Sequence, residues 1–372
     1  MVSLLLLSFA LGSPVHVAAG APTNPADSLP VWRTLETVPY RGKQDDVVFV
    51  NPDLGWYGNG EGKIYRTTDA GATWQLQWDH PGTFVRTLAF VDETTGFAGN
   101  VGTGYFPGVT DETLLYKTTD AGATWAPVPA AQIEGIAGLC AMEVLRTPFI
   151  NHGVLETKTR VYAAGRVGGP AWLMHSDDLG ETWTATDLKD HAGMVLDVHF
   201  FDLNHGLIAA SSSDDVTQGT ARILRTQDAG RTWTVAYDSG RPFENVWKMS
   251  FPTPEIGYAT VQSYNPEATE RFVIKTTDAG RTWTELPLVD DARVRQFGIG
   301  FLDERRGWVG AVPHAFATTD GGATWTPAQM GQAVNKVRVL HTPAGPVAYA
   351  IGVQVLKADG REPGLDQDPA NP

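Results

Sequence analysis

Six aspartates in register are the first candidates for chemistry. The pattern Thr/Ser-x-Asp-x-Gly-x-Thr-Trp occurs at 67–74, 118–125, 176–183, 226–233, 276–283 and 318–325. It sets Asp69, Asp120, Asp178, Asp228, Asp278 and Asp320 near Trp74, Trp125, Trp183, Trp233, Trp283 and Trp325. Carboxylates in such a series could be catalytic acids or calcium ligands. The D-x-D-x-D-G spacing of a calcium loop is absent, and equivalent positions of a repeated unit cannot converge on one substrate. Turn chemistry explains the pattern better. The carboxylate accepts N–H groups of its own turn. The glycine takes a conformation that a side chain resists, and the tryptophan packs against the sheet and between repeats. These twelve residues are therefore read as structural.

Other chemistry is thin. The nine histidines show no H-E-x-x-H or paired ligand spacing, and no G-x-S-x-G or G-x-x-x-x-G-K motif occurs. His175, His199 and His314 read as strand or loop residues. Cys140 is the single cysteine, which excludes an intramolecular disulfide and a cysteine-built metal site. It lies in the apolar segment IAGLCAMEVL and reads as a small buried hydrophobe. No catalytic set, metal site or cofactor is expected. The formal net charge of −14 argues against nucleic acid as a partner, which would require a basic face.

The repeat dictates the elements that carry these residues. Successive aspartates are 51, 58, 50, 50 and 42 residues apart, and a decayed seventh copy, LKADG at 356–360, follows with Asp359. A second motif, an aromatic strand end followed by a turn and glycine, recurs at 49–58, 90–99, 200–209, 251–260 and 301–310. Four short strands per unit of about 50 residues is the period of a propeller blade. The 40 glycines and 24 prolines fit a chain rich in turns. The expected fold is all-β, a seven-bladed propeller of four-stranded antiparallel blades, with six blades as the alternative. The seventh unit lacks a fourth strand, and VWRTLETV (31–38) supplies one from the N-terminal side. That pairing closes the ring and removes an open edge. Residues 1–19, with the apolar run 2–11, read as a signal peptide and 20–30 as a linker. Residues 31–360 form the propeller, and 361–372 read as a disordered acidic tail.

The octapeptide resembles the Asp-box, or bacterial neuraminidase repeat, and residues 31–360 resemble Asp-box propellers throughout. The near-regular spacing, one ring and an exported N-terminus are most similar to the photosystem II stability/assembly factor family and its non-photosynthetic bacterial relatives. That resemblance implies a non-catalytic propeller in the thylakoid lumen or periplasm that holds an assembly intermediate of a membrane complex. Sialidases are the second comparison. They imply an arginine triad, for which Arg86, Arg295 and Arg338 are the candidates, and a nearby carboxylate pair. Xyloglucan-cleaving enzymes with this repeat use two rings, whereas this chain holds one.

Strand order separates two faces. The octapeptide turns and the aromatic–glycine turns emerge on one. The loops between second and third strands emerge on the other. On that second face the long insertions 99–114, 164–171, 211–221 and 262–271 belong to blades two to five, against short loops at 58–62, 311–314 and 352–354. The asymmetric groove this makes is the expected binding surface. Tyr105, Phe106 and Tyr264 are its candidate aromatics, for a glycan or a protein partner. They serve equally to pack their own loops. Asp45, Asp46, Arg86, Asp197, Trp247, Lys248, Arg295, Lys336 and Arg338 fall near the starts of inner strands and are expected at the central channel. The expected function is an exported, monomeric binding or assembly scaffold, without stable membrane insertion. A sialidase-type glycoside hydrolase or a lectin is the alternative.

Overall fold

The computed structural model describes residues 28–359, apart from 39, 41, 43 and 153. The signal peptide, most of the linker and the acidic tail expected from the sequence lie outside the described residues.

Each repeat folds as one antiparallel sheet. Seven four-stranded sheets follow each other around a ring, and the first strands touch in cyclic order until the seventh meets the first. These inner strands are Gln44–Phe49, Val85–Phe90, Ala141–Asn151, Met194–Phe200, Glu244–Ser250, Arg295–Phe301 and Lys336–Thr342. The fold is a seven-bladed β-propeller. Blade 7 is completed from the N-terminal side: Arg33–Thr34 pairs antiparallel with Val355–Ala358, in the register Arg33 to Lys357. Regular pairing is shorter than the eight residues expected, and the Leu35 N–H extends it by one bond to the Val355 carbonyl at 2.9 Å.

The apolar core lies between neighbouring sheets. Tyr162 and Leu173 of blade 3 pack with Val198, Phe200 and Ile208 of blade 4. Both faces of a second strand are covered, so Gly55–Asn59, Gly96–Asn100 and Gly206–Ser211 are buried end to end. Such strands read as continuous apolar or small runs instead of alternating ones.

The two sequence motifs lock together. In the octapeptide, the Asp69 carboxylate accepts the Thr73 N–H at 2.8 Å and its hydroxyl at 2.6 Å, and Thr67 Oγ accepts the Gly71 N–H at 2.9 Å. Ala70 and Gly71 are both left-handed, with φ of 61° and 90°. The same bonds recur at Asp120, Asp178, Asp228, Asp278 and Asp320. Five of the six octapeptide tryptophans stand edge-on to the phenylalanine at the end of their own inner strand, as with Trp125 on Phe90 and Trp325 on Phe301. The octapeptide tryptophans also pack between blades, as the sequence reading expects: Trp183 of blade 3 meets Phe97 of blade 2 edge-on at 5.6 Å, and Trp125 of blade 2 lies 6.0 Å from Trp78 of blade 1. Trp56 of blade 1 stacks on Phe90 of blade 2 at 3.5 Å, and Tyr258 of blade 5 stacks on Phe301 of blade 6 at 3.6 Å. The motif glycine is required because a Cβ at Gly96 would fall 2.5 Å from the Phe90 ring.

Blade 3 departs from the pattern. Its first two strands, Ala141–Asn151 and Val154–Ala164, run 11 residues each and pair over their whole length. This hairpin stands in for the aromatic–glycine turn and accounts for the 58-residue interval between Asp120 and Asp178. Beside the long loops that the sequence concentrates on one face, this insertion lies on the other. The hairpin projects from the octapeptide face.

Candidate functional site

Inner strands aim their first residues at the axis by breaking register. Pairing shifts occur between Gln44 and Asp46, Val85 and Thr87, Val195 and Asp197, Val246 and Met249, and Gln296 and Ile299. The skipped residues are Asp45, Arg86, Leu196, Trp247 with Lys248, and Phe297 with Gly298. A bulge leaves such residues outside the ladder and re-aims them. No sequence pattern announces these bulges, because each costs only one or two residues inside an apolar strand.

The re-aimed charges pair across blades. Arg86 of blade 2 binds the Asp45 carboxylate of blade 1, and the Asp45 carbonyl accepts Asn335 Nδ2 at 3.0 Å. Asp46 is fully buried. It accepts Lys336 Nζ at 2.5 Å, Arg338 Nη2 at 3.3 Å, the Leu88 N–H at 2.8 Å and the Thr87 hydroxyl at 3.1 Å. Burial pushes its carboxyl up, but Arg338 and Lys336 outweigh this and hold it down at about 2. On the other side of the channel, Lys248 Nζ donates to the Leu196 carbonyl at 2.5 Å and to Asp197 at 3.3 Å. Burial, with Arg338, Lys248 and Arg86 close by, pushes the Lys336 ammonium down to about 7 against the pull of Asp46.

Four channel side chains also accept a main-chain N–H from the next blade. Asp46 takes Leu88, Glu143 takes Phe200, Asp197 takes Met249 and Ser250 takes Phe301. Glu143 further holds His199 Nδ1 at 2.8 Å. These acidic residues are the stitching of the ring. The space left at this level, bounded by Asp197, Lys248, Ile299, Lys336 and Arg338, is about 40 Å³. That volume suits a few waters. A small-molecule site needs roughly 300 Å³ or more.

Cys140 joins the same cluster. Burial raises its thiol, but Arg86, Lys248 and Lys336 more than offset that and bring it below its ordinary value. It is buried, as expected, in an apolar cluster with Val167, Met194, Leu196 and Trp247.

At the long-loop mouth the structure gathers most of the expected binding residues. The Arg86 guanidinium lies 5.7 Å from the Trp247 ring, which meets Phe297 edge-on at 5.7 Å. Arg295 lies 5.7 Å over the Tyr264 ring. Tyr264 is part-buried; burial, with Tyr105 next in effect, pushes its hydroxyl up to about 12. Arg86 and Arg166 lie within electrostatic reach of the Tyr105 hydroxyl. Tyr105 and Phe106 are exposed. Phe106 nonetheless stacks on Phe84 at 4.9 Å, and Tyr105 meets Phe106 edge-on at 4.8 Å. Arg166, not singled out by the sequence, ties the rim. It donates to the Val101 and Thr103 carbonyls of the blade 2 loop and to the Gly169 carbonyl of its own loop.

Two placements correct the sequence reading. Arg295 is an exposed rim residue, because the blade 6 bulge begins after it and Phe297 takes the axial position. Lys248 and Arg338 lie deeper, committed to Asp197 and Asp46. Arg86, Arg295 and Arg338 therefore do not form one triad. Two larger clefts, of about 420 and 620 Å³, open between turns of the octapeptide face. Charged groups there pair with one another, as Arg306 does with Asp303 at 2.7 Å and Arg33 with Asp359 at 3.2 Å.

The single propeller carries ion pairs in its channel and a one-sided rim of loops. No protein-family profile matches the chain. It is similar to the photosystem II assembly lipoprotein Ycf48 of Trichormus variabilis, at 24% identity over 70% of this chain and 95% of the relative. A xyloglucanase of a Paenibacillus species is 25% identical over 48% of this chain, and the chain spans only 18% of that enzyme's length. Among solved structures, Ycf48 bound to a D1 peptide superposes with a TM-score of 0.62 at 15% identity, covering 90% of this chain and all of that one. A GH74 enzyme of Niastella koreensis superposes at 0.55 with 18% identity, covering 84% of this chain and 51% of the enzyme. The chain is a β-propeller related to the photosystem II assembly factors and their bacterial relatives.

Proposed function

We propose that this propeller is an exported, non-catalytic scaffold that grips a protein partner over the channel mouth on its long-loop face. The observation that carries the reading is the rim of exposed Tyr105 and Arg295 with part-buried Tyr264, seated over buried Trp247 and Arg86 and the ion pairs of the channel. Aromatic and arginine side chains at a rigid rim are the usual anchors of a protein interface. Long loops on one side leave the other side low, so an extended segment can cross the mouth. Similarity to a propeller solved with a bound peptide supports a peptide-like partner. The N-terminal apolar run and the lipoprotein relatives support export. The octapeptides, read as Asp-boxes, supply the rigidity.

A glycoside hydrolase is the weaker reading. It draws on the xyloglucanase match, but a glycosidase needs two carboxyl groups poised for proton transfer and attack. Asp46, Glu143 and Asp197 are all engaged in stitching blades together.

The test places a photo-crosslinker at Phe106 in the exporting host, with a second at Thr217 on the same face and a third at Thr319 on the octapeptide face. A single protein captured from Phe106, lost in Tyr264→Ala and Arg295→Ala, supports the reading. Capture unaffected by both substitutions overturns the assigned face. Turnover of fluorogenic glycosides, sialosides included, that disappears in Arg295→Ala overturns the scaffold itself.

A further inference from the structure

The blade 3 hairpin is the one large departure from the repeat, and the channel does not need it. Residues 148–150 and 154–157 are exposed on both strands. Inner strands elsewhere have six or seven residues against 11 here. The surplus of four or five residues, at about 3.4 Å each, carries the tip roughly 15 Å past the neighbouring turns. Four large apolar side chains sit at that tip: Phe149, Ile150, Val154 and Leu155 are 38, 75, 59 and 73% exposed. Contiguous exposed apolar surface marks an interaction site.

The register shows what kind. Ile150 pairs with Leu155 on one face of the ribbon, and Phe149 and Val154 occupy positions of the opposite face. A protein groove or an added strand would cover one face or one edge. Apolar side chains on both faces of a projecting two-stranded tip suit a medium that surrounds it. The base of the ribbon is anchored and carries both signs of charge, with Arg146, Lys158 and Arg160 beside Glu156 and Asp177. Lys158 and Arg160 share Asp177, at 3.5 and 2.7 Å, and Arg146 donates to the Val91 carbonyl. An apolar tip that projects clear of its charged base suits an interfacial membrane contact.

We infer that Phe149, Ile150, Val154 and Leu155 of the hairpin tip dip into the headgroup region of a lipid bilayer, docking the octapeptide face on the membrane and turning the long-loop face away from it. This is a peripheral contact and not a span, so it departs from the absence of stable insertion expected from the sequence only in adding a surface. It stands apart from the identity of any partner.

The test uses the full chain carrying Ile150→Cys, labelled with an environment-sensitive fluorophore; buried Cys140 is left in place and Thr217→Cys serves as the long-loop control. Vesicles of phosphatidylcholine and phosphatidylglycerol are added, with and without doxyl-labelled lipid. The expected result is a blue shift and doxyl quenching at position 150 and neither at 217. Leu155→Asp in the labelled chain then weakens vesicle partitioning by about tenfold or more. Absence of quenching at 150 overturns the inference, as does equal quenching at 217. A blue shift at 150 that grows with protein concentration before lipid is added also overturns it, in favour of contact between copies. Each outcome is read at the hairpin, so it leaves the crosslinking test of the opposite face untouched.

Discussion

Asp46 shows how much of the ring rests on single side chains. Five groups converge on it: the Val47 and Leu88 N–H groups, the Thr87 hydroxyl, Lys336 and Arg338. In Asp46→Asn the size is kept, and buried Lys336 and part-exposed Arg338 lose their counter-charge. Removing one partner of a buried pair costs about 3–5 kcal/mol, which urea unfolding at pH 7 will register. Lys336→Met in the same chain should recover part of that loss, since the stranded ammonium is then gone. The pH dependence has a definite sign. The folded carboxyl titrates near 2 and the ordinary value is 3.8, so the contribution is whole above about pH 5 and is lost as pH falls toward 2. The urea midpoint of the wild type should drop more steeply between pH 5 and 2 than that of Asp46→Asn. At Gly96 the issue is space. In Gly96→Ala the new methyl meets the Phe90 ring at 2.5 Å, and that ring is already stacked on Trp56. Such overpacking costs about 1–3 kcal/mol, and a thermal melt that shows no change would refute the close-approach account of the motif glycine.

At the scale of elements, the octapeptide is a turn that carries its own cap. The Asp320 carboxylate holds the Thr318 hydroxyl at 2.8 Å, and the Thr324 N–H and hydroxyl at 2.9 and 2.6 Å. Hydrogen bonds to the charged form keep such carboxyls below their ordinary value, down to about 2 at Asp178. Asp320→Ala should cost about 1 kcal/mol, as loss of a side-chain cap does elsewhere. The same change at Asp120, three blades away around the ring, should add to it nearly independently. A double variant whose melting temperature falls by clearly more than the sum would mean that the turns are coupled through the ring. Between elements, cations reach from one blade to the next turn: Lys275 donates to the Gly321 carbonyl at 3.1 Å, and Lys117 pairs with Glu181 at 2.5 Å. Exposed pairs of this kind contribute little to stability. Their geometry is a by-product of the repeat.

For the whole molecule, ring closure is the vulnerable joint. Blade 7 takes its outer strand from the far end of the chain, and Leu35 anchors it, buried against Tyr57, Tyr65, Tyr349 and Val355. A Cβ at Gly71 would meet the Leu35 side chain, so the anchor also braces the first octapeptide. Leu35→Ala should cost about 2–5 kcal/mol. The loss should appear first as faster exchange of amide protons in blades 7 and 1, the region that opens. Uniform exchange across all seven blades would show that the ring unfolds as one unit. Function belongs to this scale as well, since the proposed partner and the proposed bilayer meet opposite faces of a single rigid ring.

Periodicity determined the architecture. Six octapeptides and five aromatic–glycine motifs fix the turns, and the missing fourth strand of the last unit calls for the N-terminal one. Local chemistry recurs with the repeat, so the chain itself discloses blade number, closure, and which loops are long. The sequence could place Tyr105, Tyr264 and Arg86 on one face, because strand order alone decides that. It could not tell Arg295 from Arg338, one at the rim and one on Asp46, because a bulge of one or two residues decides which side chain meets the axis. It could not show that Asp46, Glu143 and Asp197 bind the next blade's main chain, since those contacts join residues 42 to 57 positions apart. The hairpin of blade 3 was hidden for a related reason. Its residues carry no repeat motif, and only the pairing of Ala141–Asn151 with Val154–Ala164 shows where they stand.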